Sequence, residues 1–92
     1  MPQFYFDVRE GARFTPDEEG LELDSLDAAE REAAVAAAEI GRDRLPKGDS
    51  REIAIEVRDE HRQWVLTVRV SLEVDRVSRP PPRGPEGSAP PG

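Results

Sequence analysis

Asp7, Asp17 and Asp59 stand in three separate segments, and acids drawn from separate segments are what hydrolytic sites use to hold a divalent cation. Composition argues against such a site. Residues 1–75 carry 19 acids, a density that produces triples of this kind by chance, so no metal site is expected. Asp17-Glu18-Glu19-Gly20 lacks the alternating oxygen ligands of a calcium loop and reads as a solvated turn. His61 is the one imidazole and lies between Glu60 and Arg62. Nothing near it supplies a nucleophile or a cleft, so it reads as an exposed turn residue rather than a general base. Ser25, Ser50 and Ser71 have no nucleophile-elbow context. The glycines at 11, 20, 41 and 48 are isolated, so none belongs to a phosphate-cradling loop. The absence of cysteine excludes disulfides, thiolate metal sites and cysteine nucleophiles. No catalytic, cofactor-binding or metal-binding residue is assigned, and the chain is not expected to be an enzyme.

Charge narrows the partners. The 92 residues have a formal charge of −7, divided unevenly: residues 1–75 sum to −9 and residues 76–92 to +2. A body this acidic repels phosphates and anionic membranes, so neither nucleic acid nor membrane is an expected partner. No apolar run approaches the roughly 18–20 residues of a membrane span, and no signal-peptide pattern opens the chain. The expected setting is the cytoplasm. Six of the nine prolines fall between positions 80 and 91. A segment this poor in apolar residues cannot offset an ordering cost of roughly 1–2 kcal/mol per residue. Residues 78–92 are therefore expected to be a disordered tail with polyproline II character around Pro80, Pro81 and Pro82. Pro82 and Pro85 make a PxxP match, which a proline-recognition domain could read; a solvated tail without a ligand is the expectation. Residues 1–77 form one domain.

The elements of that domain follow from periodicity. Phe4, Phe6 and Val8 alternate with Tyr5, Asp7 and Arg9, which predicts a half-buried strand over 3–9. A turn at Gly11 leads to a second strand, broken by Pro16 to Gly20 and resumed at Leu21 and Leu23. Asp24 or Ser25 can cap a helix. Leu26, Ala29, Ala33, Ala36, Ala37 and Ile40 share one face of it, and seven alanines between 28 and 38 keep that face shallow. Pro46 ends it near Arg44 or Leu45, and 46–50 is a loop. Ile53, Ile55 and Val57 mark a strand over 52–58. Asp59 to Gln63 is a hairpin-length connector. Trp64, Leu66, Val68, Val70, Leu72 and Val74 extend the last strand over 64–74, with Trp64 taken as a core residue. Tyr5, Ala54, Val65 and Thr67 fall on the opposite face, between Asp7, Glu56 and Arg69. They make a mildly apolar patch that suits a partner surface and equally a solvated sheet face. The order ββαββ predicts an α+β fold, an antiparallel four-stranded sheet with one helix packed on its apolar face.

Phe4-Tyr5-Phe6-Asp7-Val8-Arg9, Asp17-Glu18-Glu19-Gly20-Leu21-Glu22-Leu23, the helix with Ala28, Ala29 and Ala33, Val57-Arg58-Asp59-Glu60 and Leu66-Thr67-Val68 form an ordered set. The set resembles a family of small uncharacterised alphaproteobacterial proteins catalogued as a domain of unknown function. The resemblance covers about residues 3–70. It implies one small α+β domain and brings no activity, cofactor or catalytic residue. One departure is that the family tends to place glycine in the last hairpin turn, where this chain has Arg62; a turn needing positive φ there is strained or of another type. Ser25-Leu26-Asp27-Ala28-Ala29 is loosely similar to the helix start of the small domain of HicB-type antitoxins.

Missing catalytic chemistry points to a small non-enzymatic protein-interaction or regulatory module. The alternative is an antitoxin-like domain that binds a small basic toxin. Eleven alternating residues from Trp64 span roughly 36 Å against roughly 23 Å for a seven-residue partner. That overhang predicts a homodimer joined through the final strand, with a two-fold axis beside Ser71. The intramolecular rival sets residues 4–8 against the same strand and leaves a monomer.

Overall fold

A computed structural model describes residues 1–48 and 50–77. The expected disordered tail over 78–92, with its proline motif, lies outside the described residues, as does Asp49 of the expected loop.

The elements run β1 (Gln3–Glu10), β2 (Arg13–Thr15), β3 (Leu21–Glu22), α1 (Leu26–Arg44), a 3₁₀ turn (Leu45–Lys47), β4 (Glu52–Arg58) and β5 (Trp64–Ser71). All pairings are antiparallel, in the order β2-β1-β4-β5 with β3 also on β1. The fold is α+β, with one helix on the sheet. The expected fourfold sheet has five strands because the second strand is broken into two. β2 pairs with residues 8–10 of β1 and β3 with residues 3–4.

Helix α1 begins where capping predicts. The Ser25 hydroxyl oxygen accepts the Ala28 amide at 3.0 Å, and the helix ends at the residue before Leu45 and Pro46. Ala29, Ala33, Ala37 and Gly41 form its buried stripe, packed on β4 and β5. The core holds Phe4, Ile55 and Val57 against the first three of these. Small residues let the helix lie close to large sheet side chains. At Gly41 a Cβ would fall 2.9 Å from Val70 Cγ1. Leu26, expected on this face, is 47% exposed because it opens the helix, where its turn has only begun to meet the sheet.

Two expectations about the last strand are corrected. It stops at Ser71 rather than running to residue 74. The Leu72 amide still reaches the Arg51 carbonyl at 3.1 Å, but β4 starts at Glu52 and offers no ladder beyond it. Leu72 and Val74 are exposed. Trp64 is not a core residue: it is 63% exposed. Val57 pairs with Leu66 while Arg58 pairs with Trp64, so Val65 is an extra residue in β5. This bulge flips the phase and delivers Trp64 to the outer face. The pairing of residues 4–8 with this strand is also corrected. β1 pairs with β4, so nothing among the described residues pairs with the outer edge of β5.

Candidate functional site

On the face away from α1, strand pairing builds two rows: Asp7 beside Glu56 and Thr67, then Tyr5 beside Arg58 and Trp64. Asp7 is the buried charged residue of the domain. Arg58 grips it with two bonds, Nε to Oδ2 at 2.7 Å and Nη2 to Oδ1 at 3.0 Å. Such a planar fork matches a carboxylate better than a point charge does. The same Nη2 reaches the Asp17 carbonyl at 3.3 Å.

Asp17 repairs the break between β2 and β3. Its Oδ2 accepts the Phe6 amide of β1 at 3.0 Å, where a continuous second strand would supply a carbonyl. Its Oδ1 accepts the Glu19 and Gly20 amides at 3.1 and 3.2 Å, and its own amide donates to Asp7 Oδ1 at 2.9 Å. Burial pushes the Asp7 carboxyl up, but the bonds from Arg58 and the Asp17 amide, with the Arg58 charge, outweigh it and hold the group below its ordinary value. Burial likewise pushes Asp17 up, and the three backbone amides and Arg58 bring it below.

Two of the three aspartates thus meet, and the cation between them is a guanidinium. Asp59 does not join them: its Oδ1 accepts the His61 and Gln63 amides, both at 2.9 Å, and shapes the β4–β5 turn. Among the described residues no cluster of acids or histidines is set to hold a metal. His61 is exposed with Glu60 at 3.7 Å. Ser25 caps α1, Ser50 donates to Glu10 at 3.4 Å, and Ser71 ends β5.

The aromatic end of this face was missed in the sequence. Arg62 adopts φ +66°, the conformation that favours glycine. Its guanidinium carbon lies 4.8 Å from the centre of the Tyr5 ring, and that of Arg58 lies 5.1 Å from it. Trp64 Nε1 donates to Thr67 Oγ1 at 2.8 Å and to the Leu66 carbonyl at 3.2 Å. With its N–H spent within β5, the exposed indole offers only apolar and π surface. The signal for this was the five-residue connector, whose length permits a bulge. Ala54, expected in the patch, is buried between its neighbours Arg9 and Arg69.

The second feature is the β5 edge. The Leu72 amide points to β4, so alternation turns the amides and carbonyls of Thr67, Arg69 and Ser71 outward. Beside its end, Leu72 and Val74 line a groove of about 230 Å³ with Leu45 and Pro46.

These observations define a single-helix domain of order βββαββ, whose polar cluster joins β1, β4 and the break between β2 and β3 and whose exposed features are an edge and an aromatic surface. The family model described as Domain of unknown function (DUF6894) matches residues 3–71, and the chain belongs to that family. The likeness to HicB-type antitoxins has no counterpart in this match. No curated protein and no solved structure matches the chain. No helix among the described residues is long and apolar enough to cross a membrane.

Proposed function

We propose that this chain is a non-enzymatic protein-interaction module of the cytoplasm, and that the β5 edge joins it to a second copy of itself. The observation that carries this is an eight-residue strand paired, among the described residues, on one side only, with one charged residue, Arg69. Such edges are normally shortened, charged or covered. The chemistry-bearing residues support a non-enzymatic role, because Asp7, Asp17, Asp59 and Ser25 are engaged in holding the fold together.

The register follows from charge. A two-fold axis at Arg69 would set two guanidinium groups opposite each other, which is destabilising. An axis at Val70, beside Ser71, sets Arg69 against the partner's Ser71 and Leu72 against the partner's Val68. It covers Leu72, which is 40% exposed in the single chain. Light scattering at micromolar concentration tests this: the expected mass is twice 10.2 kDa, and a species of 10.2 kDa overturns the dimer. Leu72→Arg should yield the single chain.

A further inference from the structure

We infer that residues 13–22 form a strap over the outer edge of β1, with Asp17 as its latch. The strap lifts as a unit while α1, β1, β4 and β5 stay folded. Lifted, it leaves β1 as open as β5, so it decides whether the sheet presents one long edge or two. This inference does not depend on the β5 dimer.

Pairing shows how lightly the strap is held. On its inner side β1 pairs with β4 in one register from Tyr5 to Glu10. On its outer side it pairs with two short pieces that do not share a register. The β2 register, in which Val8 faces Thr15, would bring Asp17 opposite Phe6 and Glu19 opposite Phe4. Phe4 instead faces Leu21, so two extra residues loop out between the pieces. The Phe6 amide falls in this gap, and the Asp17 carboxylate fills it at 3.0 Å.

The bonds that fasten the middle of the strap gather on the same residue. The Asp17 amide donates to Asp7 Oδ1 at 2.9 Å, its carbonyl accepts Arg58 Nη2 at 3.3 Å, and its Oδ1 fixes the Glu19 and Gly20 amides. Gln3 Nε2 adds a bond to the Glu19 carbonyl at 2.8 Å. Release strands no charge: Asp17 passes into water, and the Arg58 fork stays on Asp7.

Apolar burial adds little. Every residue of β2 and β3 is exposed, and Phe14 meets only the exposed side of the sheet at Arg9. Among the described residues, the core and the side chains packed on it include none of 13–22. Leu23 is the next residue along the chain and does pack there; its amide bonds the Pro2 carbonyl at 3.0 Å, which marks the fixed end. At the other end Gly11 turns at φ +60°, with the freedom a hinge uses. Segments with few buried apolar contacts open at a lower free energy than the whole domain.

Amide hydrogen exchange at pH 7 reads the strap directly, because neighbouring amides of β1 point to opposite sides. The Phe6 and Val8 amides face the strap, and the Asp7 and Arg9 amides face β4. In the intact chain Phe6 and Val8 should be less protected than Asp7 and Arg9 by about tenfold or more. In full-length Asp17→Ala their protection should fall by about a further tenfold, the scale of one charge-assisted hydrogen bond, with Asp7, Arg9 and Val57 unchanged. Val8 is the decisive amide, since it pairs with Thr15 of β2 and not with Asp17. Acceleration of Phe6 alone would mean only a lost acceptor and would overturn the strap. Equal protection of the two sets in the intact chain, or equal loss from both in Asp17→Ala, overturns it too, because residues 13–22 would then open only with the whole domain. The intact-chain comparison decides the matter by itself where Asp17→Ala fails to fold.

Discussion

Asp7 is held by opposing effects, burial that disfavours its charge and a guanidinium fork that favours it. Removing one side exposes the other. Asp7→Ala should destabilise by about 2–3 kcal/mol, below the roughly 3–5 kcal/mol for a fully buried pair because Arg58 retains solvent contact; urea unfolding measures it. Acid acts through the same groups. Asp7 and Asp17 both sit below their ordinary value in the folded chain, so the unfolded chain takes up protons first as the pH falls. Their stabilisation is complete above the unfolded value of about 3.9 and is lost as the pH drops through the lower folded values. The urea midpoint should therefore fall between pH 7 and pH 3. Asp7→Asn should shrink that fall. An undiminished fall in Asp7→Asn would show that other acids carry the effect. The approach of Asp7 and Asp17 could be suspected from the sequence, because one is in mid-strand and the other in the interruption beside it. The arrival of Arg58 could not, since it needs β4 next to β1.

Helix α1 shows why some elements are legible and others are not. Ser25, the alanine-rich face and Pro46 each act locally, so periodicity and capping place the helix to within a residue or so. Its packing follows from the same letters. Ala33 is fully buried and Ala38 is exposed. Ala33→Leu should cost about 1–3 kcal/mol by overpacking, while Ala38→Leu should be near neutral in thermal unfolding; equal effects would mean that the helix is rotated from its described face. Strand β5 was less legible. Its apolar alternation continues through Trp64 without a break in the sequence, and the phase change comes from pairing. Val65 is accommodated as a bulge because Arg58, not Val57, faces Trp64. The turn that sets this register contains Arg62 at φ +66°. Arg62→Gly should relieve about 1 kcal/mol of backbone strain but remove the cation from the Tyr5 ring, so the net gain in stability should be smaller than that.

The whole molecule is where sequence reading ended, because strand order depends on which edges meet and alternation is silent about that. With β4 between β1 and β5, the helix covers one face and, among the described residues, the long β5 edge is left unpaired opposite the short β2 and β3. Removing residues 78–92 should not unfold such a domain, since among the described residues Phe4, Ile55 and Val57 already build a core with the helix. Truncation after Val77 should shift the thermal midpoint by no more than about 5 °C, the scale of roughly 1 kcal/mol in a domain of this size. Collapse of the cooperative transition would show that the tail completes the core. The edge makes a different kind of demand. If two chains pair along β5, association and folding are linked, and the thermal midpoint must rise with protein concentration. Leu72→Arg should abolish that rise, because the charge would face the partner's Val68, yet leave the dilute-limit midpoint nearly unchanged, since Leu72 lies outside the core. Ile55→Val works the other way. Ile55 is fully buried, so losing a methylene should cost about 0.5–1.5 kcal/mol and lower the midpoint at every concentration while keeping its slope. A midpoint independent of concentration in the unmodified chain would leave the β5 edge solvated.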